Sequence, residues 1–263
     1  MAADPDDLAL ALELADIADS ITLERYQAED LQVQTKPDLT PVSEADTAVE
    51  QAIRDRLATA RPRDAVLGEE FGETTDGGGS RRWIIDPIDG TKNFVRGSPG
   101  WATLLALQDG EETAVGVVSA PALHRRWWAS RGGGACVDDG LDPPGRQLRV
   151  SAVADLGDAQ FCIGGIGEWL QTGRMDAALE LAARCWHTQG FRDFWSYMLV
   201  AEGVVEIGLD PIVSLWDLAA PQVIVEEAGG RFTDLGGAQT VEGGDALATN
   251  GLVHDAALAI VGR

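Results

Sequence analysis

The feature that most constrains the fold of this chain is the stretch of residues 83–94, which reads WIIDPIDGTKNF. Three apolar residues lead into Asp86, and Asp89 follows after Pro87 and one further residue. This pattern predicts a buried strand that ends in two carboxylates and passes directly into the start of a helix. Because a proline restricts the backbone of the residue before it, the two carboxylates can converge instead of pointing to opposite faces.

The end of this strand combines two kinds of binding site. Carboxylate and backbone oxygens suit a hard cation such as Mg²⁺, and Asp86 and Asp89 would supply them. The step from Gly90 to Thr91 offers backbone N–H groups at a helix N-terminus, where an anion binds favourably. A metal site beside an anion site is the arrangement that hydrolysis of a phosphate ester needs. The alternative is an ordinary aspartate-rich turn.

Three further acidic segments are candidates for the same site. Glu69 follows a short apolar run, so a strand end could bring its carboxylate to a metal that it shares with Asp86; in isolation, a solvated loop explains it better. Asp217 lies at a predicted helix start, where an aspartate is often only a cap or a dipole partner. Asp46 belongs to the sequence SEAD at 43–46, which fits a capping box, and it could equally orient an attacking water.

The composition limits the partners that the chain can bind. Among its 263 residues, 43 are acidic and 20 are lysine or arginine, so the formal net charge is −23. This excess argues against nucleic acid and anionic membrane surfaces, because both would repel the chain. The sequence contains no apolar run of the length of a membrane span and no basic leader at its start, so we expect a cytoplasmic protein. Its three widely spaced cysteines indicate neither a disulfide framework nor a zinc site.

Hydrophobic periodicity predicts strands that interleave with helices along the whole chain. Helices are expected over residues 6–28, around 49–57, and over 174–184, 194–202 and 216–228, with a last helix from 254. Strands are expected over 83–89, 101–107, 113–120, 125–130 and 204–208, and near 160 and 246, and the glycine-rich segment 74–80 is expected to be a mobile loop. The alternation predicts an α/β or α+β fold of layered sheets in one domain, with halves of about 1–150 and 151–263.

Together, these segments resemble the inositol monophosphatase family of Mg²⁺-dependent, lithium-sensitive phosphatases. The matching motifs are GEE at 68–70, DPIDGT at 86–91 and WDLAA at 216–220, and their order and separation match the family over nearly the whole chain. The resemblance implies a layered αβαβα sandwich of the inositol monophosphatase and fructose-1,6-bisphosphatase type. It also implies a homodimer that acts on a small phosphorylated substrate.

The resemblance further implies a role for each motif residue. The implied metal ligands are the carboxylates of Glu69, Asp86, Asp89 and Asp217 and the backbone carbonyl of Ile88. They would hold two Mg²⁺ ions, with a third, weaker ion near Glu69, and Mn²⁺ could substitute. The implied phosphate contacts are the backbone N–H groups of Gly90 and Thr91. The implied catalytic residues are Asp46, Thr91 and Glu69, of which the first two would orient the attacking water.

The segment 190–197, which reads GFRDFWSY, resembles the histidinol-phosphate phosphatase branch of that family, as does the stretch 119–128. This implies hydrolysis of L-histidinol phosphate in histidine biosynthesis. Asp193 would suit the cationic amine of histidinol, although it could also be the N-cap of the next helix. Asp210 lies where family members contact the substrate. Arg192 replaces an expected small residue, and it could narrow the pocket or repel the ammonium.

Two other functions stay open at this point. The first is an inositol-1-phosphatase or a broader sugar phosphatase of the same family, including fructose-1,6-bisphosphatase activity. The second is a metal-binding or interaction protein without catalysis, which the presence of every expected ligand disfavours.

Overall fold

The computed structural model describes residues 4–37, 39–74, 79–141 and 145–262. The helices are α1 (Pro5–Arg25), α2 (Glu44–Ala60), α3 (Thr91–Val95), α4 (Ile166–Gln171), α5 (Met175–Arg184), α6 (Phe194–Ala201), α7 (Leu215–Glu227) and α8 (His254–Val261). The strands are β1 (Val33–Thr35), β2 (Pro41–Ser43), β3 (Ala65–Gly68), β4 (Gly72–Thr74), β5 (Arg81–Asp89), β6 (Ala102–Asp109), β7 (Glu112–Ala120), β8 (Arg125–Ser130), β9 (Gly134–Asp138), β10 (Arg146–Gln147), β11 (Gln160–Ile163), β12 (His187–Gln189), β13 (Ile207–Asp210), β14 (Arg231–Thr233) and β15 (Ala246–Thr249). Among the described residues, no helix has both the length and the hydropathy that crossing a bilayer requires.

The strands form a large and a small mixed sheet beside the short hairpin of β1 and β2. The large sheet has the order β10-β9-β8-β7-β6-β5-β3-β4. Its strands are antiparallel except for the pair of β3 and β5. The small sheet has the order β12-β11-β13-β15-β14, in which β11 runs parallel to both of its neighbours. The carboxyl ends of β11 and β13 therefore lie side by side.

Three buried clusters show how helices and sheets stack. Ile53 of α2 packs with Ile85 of β5, so α1 and α2 cover the outer face of the large sheet. Val223 of α7 packs in one cluster with Ala248 of β15, so α6 and α7 fill the space between the sheets. Leu181 of α5 belongs to the cluster on the outer face of the small sheet, which α4, α5 and α8 cover. This order of layers confirms the predicted αβαβα sandwich.

Strand β5 is buried on both faces, which explains its continuous apolar run. Trp83 and Ile85 face α1 and α2, whereas Ile84 faces the central helices. The pairing with β6 shifts its register between Asp86 and Asp89. In a regular strand, residues three apart point to opposite faces, so this irregularity is what turns both carboxylates toward one place.

Helix α7 approaches the large sheet very closely at Gly116 of β7. A Cβ atom at this position would lie 2.7 Å from the carbonyl oxygen of Ala220 and 2.5 Å from Val223 Cγ1. Since a backbone atom cannot move aside as a side chain can, any larger residue would displace the helix. Gly116 thus sets the depth at which α7 lies on the sheet.

Most of the predicted elements are present, and the exceptions have local causes. The strand expected at 204–208 is present but shifted, as β13 at Ile207–Asp210, because Val204 N–H donates to the carbonyl of Leu199 and completes the C-terminal cap of α6. Helix α1 ends at Arg25, earlier than expected, and the six-residue α4 was missed. Residues 75–78 of the predicted mobile loop lie outside the described residues.

Candidate active site

Three aspartates form a compact group where β5 meets the start of α7. One carboxylate oxygen from each of Asp86, Asp89 and Asp217 lies within 4.8 Å of the others. Asp86 and Asp89 are only 2% and 8% exposed. We call these three carboxylates the strand-end group. Its all-oxygen donor set and its uncompensated negative charge fit a hard divalent cation.

Burial raises the pKa of every carboxyl in the strand-end group. For Asp86 the pKa rises well above its ordinary value, first through burial and then through the charges of Glu69, Asp89 and Asp217. For Asp89 burial is again the largest cause, followed by the charge of Asp193. The pKa of Asp217 rises to about 6, mainly through burial. Burial and mutual repulsion therefore favour the protonated forms of these carboxyls unless a cation replaces the protons.

Two of the predicted site carboxylates occupy the same position in two different helices. Asp46 is the third residue of α2, and its Oδ2 accepts a hydrogen bond of 2.8 Å from the backbone N–H of Ser43. Asp217 is the third residue of α7, and its Oδ2 accepts a 2.8 Å bond from the N–H of Ser214. Each aspartate caps its helix with one oxygen. The cap interpretation and the site interpretation of Asp46 are thus compatible.

Thr91 links Asp46 to the end of β5. Its Oγ1 lies 3.0 Å from the carbonyl oxygen of Ile88 and 3.3 Å from Asp46 Oδ1, so its single proton has two acceptors. Burial is the main cause that raises the pKa of Asp46 to about 6. Gly90, just before α3, has φ +80°, and a Cβ there would lie 2.9 Å from the carbonyl oxygen of Gly100. Only glycine fits this turn.

Glu69 lies near the strand-end group but is not part of it. Its charge raises the pKa of Asp86, yet its Oε1 accepts a 2.7 Å bond from Lys36 Nζ. The same ammonium donates a 2.7 Å bond to Glu70 Oε1. Burial alone would lower the pKa of Lys36, but the two carboxylates outweigh it and raise that pKa. A lysine therefore supplies positive charge where the family resemblance implies a third, weaker ion.

Sequence reasoning missed Glu50, which holds the segment that carries Glu69. Glu50 is fully buried on α2, and its two oxygens accept bonds from the backbone N–H groups of Glu70 at 2.7 Å and Phe71 at 3.1 Å. Arg54, one helical turn later, donates to the same carboxylate at 2.8 Å. The i, i+4 spacing of Glu50 and Arg54 was the only signal in the sequence, and it is usually a surface pair.

Asp193 stands at the N-cap position of α6, but its side chain makes no capping hydrogen bond. Instead, Asp89 Oδ2 accepts the first N–H of the helix, that of Phe194, at 2.6 Å. Asp193 Oδ1 accepts a 2.8 Å bond from Arg192 Nε. Its φ of +57° with ψ of −154° is a conformation that non-glycine residues rarely adopt. The side chain of Asp193 is therefore held by Arg192 and not by a capping bond.

Arg192 joins Asp193 to a third residue. Its Nη2 donates a 3.2 Å bond to Glu168 Oε1 on α4, so one guanidinium is shared by two carboxylates. We call Glu168, Arg192 and Asp193 the arginine cluster. Burial is the largest cause that raises the pKa of Asp193, and the charge of Arg192 opposes it.

Asp210 ends β13 next to this cluster. It is 6% exposed, and its Oδ2 accepts a 2.6 Å bond from the hydroxyl of Tyr197. Burial is the main cause that raises its pKa to about 7, and Asp193 adds to the rise. The hydroxyl fixes the direction of the carboxylate, a partnership that the sequence did not predict.

A cavity of about 260 Å³ connects the predicted phosphate contacts with the arginine cluster. Gly90, Thr91 and Lys92 line one side, and Arg192 and Asp193 line the other. The structure therefore brings the predicted phosphate contacts, Gly90 and Thr91, and the predicted substrate contacts, Arg192 and Asp193, to one pocket, although the two pairs lie about a hundred residues apart in the chain.

Comparison with known proteins shows the family of the chain. A model of the inositol monophosphatase family matches residues 5–261. The chain is 53% identical over 254 residues to the histidinol-phosphatase of Streptomyces coelicolor, which covers 95% of this chain and 94% of that protein. It is also 53% identical over 254 residues to the histidinol-phosphatase of Mycobacterium tuberculosis, with 96% of each covered. The solved structure of an IMPase from Thermotoga maritima matches with a TM-score of 0.85 at 28% identity, covering 97% of this chain and 96% of that one. As the motifs predicted, the chain belongs to the inositol monophosphatase family.

Proposed function

We propose that the protein is a Mg²⁺-dependent phosphatase that hydrolyses L-histidinol phosphate to L-histidinol and phosphate in histidine biosynthesis. The observation that carries the proposal is the pocket in which Thr91 and Lys92 face Asp193. One side suits a phosphate, and the other offers a carboxylate to an ammonium. The similarity to two proteins named histidinol-phosphatase supports the same substrate.

The residues of the chain divide the catalytic work among them. The strand-end group, Glu69 and the carbonyl of Ile88 would hold divalent cations, which lower the pKa of water, screen the phosphate and stabilise the leaving alkoxide when bound. The backbone N–H groups of Gly90 and Thr91 would hold phosphate oxygens at the start of α3. Asp46 and the carbonyl of Ile88 are the two hydrogen-bond acceptors for the hydroxyl of Thr91, and they would hold the hydroxyl where it orients the attacking water.

The substrate alcohol would extend toward α6 and β13. Asp193 and Asp210 are the carboxylates that would bind the ammonium of histidinol, and both have raised pKa values because of burial. A bound cation would favour their ionised forms. Arg192 donates to Asp193 and so holds the direction of that carboxylate.

The proposal includes one domain over residues 1–263 and a homodimer, as the family resemblance implies, and a location in the cytoplasm. Leu170, Leu179 and Trp186 are 63%, 58% and 68% exposed, and burial of such large apolar side chains between two chains would favour a dimer. Light scattering on the purified protein would contradict the dimer if it gave the mass of one 27.9 kDa chain.

The substrate is tested by measuring phosphate release from L-histidinol phosphate and from inositol-1-phosphate side by side, with Mg²⁺ and with a chelator. The expected result is a chelator-sensitive preference for L-histidinol phosphate. Preference for inositol-1-phosphate, or equal turnover, would reject the substrate and keep the family chemistry. Binding of Mg²⁺ without hydrolysis of either ester would reject the enzyme.

A further inference from the structure

Arg192 poses a physical problem for a pocket that is to bind an ammonium. Its guanidinium lies beside Asp193, the carboxylate that would contact the cation, at 2.8 Å. An uncompensated positive charge at this place would repel the substrate amine, because like charges in a partly buried site interact strongly. Burial opposes the charged form, but Asp193 and Glu168 outweigh it and raise the pKa of Arg192 further. The arginine is therefore always charged.

Glu168 provides the compensation. It lies in the first turn of α4, and its Oε1 accepts the Arg192 bond at 3.2 Å. Its side chain is 26% exposed and that of Arg192 38% exposed, so water screens the pair only in part. The second oxygen, Oε2, is buried and has no hydrogen-bond partner among the described residues. The carboxylate therefore contacts Arg192 through one oxygen, and no hydrogen bond from another described residue neutralises the second oxygen.

The backbone is shaped to admit this pair. Gly164 lies directly after β11, and a Cβ there would come within 2.2 Å of Arg192 Cβ and 3.2 Å of Arg192 Cα. Ile163, at the end of β11, pairs with Leu209 of β13, the residue before Asp210. The end of β11 thus brings Arg192 and Glu168 to the substrate carboxylates. Accordingly, Arg192 lowers the pKa of Asp210, and Glu168 raises it.

We infer that Glu168 is a positioning residue that sets the charge preference of the pocket. By sharing Arg192 with Asp193, it offsets the charge of the guanidinium, so that the formal net charge of the arginine cluster stays negative. Together with Asp210, the cluster then favours an alcohol phosphate that carries an ammonium over an uncharged polyol phosphate. This inference rests on the proposed function, because it concerns the same pocket. It assigns a role to a residue in a short helix that no motif of the sequence marked.

The test compares kcat/KM for L-histidinol phosphate with kcat/KM for inositol-1-phosphate in the wild type and in Glu168→Gln. Glutamine keeps the length of the side chain and an acceptor for Arg192, and removes only the charge. The ratio of the two values is expected to fall roughly tenfold, mainly through KM for L-histidinol phosphate, as for one unit charge in a partly solvated site. The matched control is Glu13→Gln, which removes a carboxylate from the exposed ion pair with Arg56 between α1 and α2 and leaves the ratio unchanged.

Two further variants separate a charge effect from a structural one. Glu168→Asp keeps the charge and is expected to retain the ratio within about threefold. The double variant Glu168→Gln, Arg192→Gln removes both charges and is expected to recover most of the lost preference. Thermal unfolding of each variant checks that the fold is intact.

The outcomes distinguish this inference from the proposed function. If the wild type prefers L-histidinol phosphate and Glu168→Gln keeps that preference, the role of Glu168 is rejected and the proposed function stands. If the double variant is as impaired as Glu168→Gln alone, Glu168 does not act through Arg192, and the inference is rejected. If the wild type itself shows no preference, the proposed function fails, and the inference fails with it.

Discussion

The strand-end group and the arginine cluster both contain several carboxylates, but only in the arginine cluster does a side chain of the protein supply positive charge to them. In the strand-end group, three carboxylates within 4.8 Å face one another, and no guanidinium or ammonium bonds to them among the described residues. In the arginine cluster, two carboxylates share Arg192 at 2.8 and 3.2 Å. The first arrangement is stable only with protons or with cations from solution. In the arginine cluster, Arg192 already neutralises part of the negative charge, so the cluster is suited to distinguishing substrates by their charge.

The largest effect is expected from breaking the strand-end group. Asp86→Asn removes the carboxylate that the family resemblance assigns to two ions, so kcat should fall by about 10³-fold or more. Because the change also removes charge repulsion, the melting temperature in chelator should not fall. Phosphate release and thermal unfolding check this. Activity near that of the wild type would reject the assignment of the metal ligands.

A smaller effect is expected from the arginine cluster. Asp193→Asn should raise KM for L-histidinol phosphate by roughly tenfold to a hundredfold, because it removes the charge that would face the ammonium. Asparagine suits the positive φ at this position better than alanine does, so the backbone is preserved. Kinetics on both esters measures the effect. An unchanged preference for L-histidinol phosphate over inositol-1-phosphate would show that the amine binds elsewhere.

The smallest effect is expected on the pH dependence of stability, and it comes from the strand-end group, whose carboxylates have no cation of the protein bonded to them among the described residues. The folded pKa of Asp217 is about 6, above its ordinary value of 3.8, so its contribution to stability is full below about pH 4 and is lost as the pH rises through about 6. Asp86 and Asp89 shift in the same direction. Mg²⁺ binds the ionised carboxylates and should offset this loss.

The measurement is the melting temperature with Mg²⁺ minus that with chelator, taken between about pH 5 and pH 7. The difference should grow by several degrees over this range. The control is Asp86→Asn, in which the growth should be smaller. A difference that is constant with pH would mean that the strand-end group holds no displaceable protons.

Much of the fold and of the strand-end group could be predicted because the signals are local. The apolar run before Asp86 and the capping pattern around Asp46 each lie within a few residues, and the structure has both. The start of β13 was predicted too early, because Val204 and Val205, which follow α6 and donate to the carbonyl of Leu199, are of a residue type that is typical of strands.

The parts that could not be predicted depend on pairings between distant segments. Glu50 holds the backbone at Glu70, and Tyr197 fixes Asp210. In the sequence, Glu50 resembles a surface residue and Tyr197 a core residue. Glu50 meets the backbone of Glu70, and Tyr197 meets Asp210, only when the helices and sheets are packed together.

The close approach at Gly116 has a consequence for how loss of activity should be interpreted. Asp217 lies in the first turn of helix α7, and the helix contacts Gly116 within the next two turns, at Ala220 and Val223. A side chain at Gly116 would lift the helix and carry Asp217 away from Asp86, although it would touch neither cation nor substrate. In a survey of random substitutions or of inherited variants, an inactive protein altered at this position would resemble an active-site mutant. Activity alone would therefore assign to the catalytic centre a residue of β7 that only sets how closely α7 lies on the large sheet.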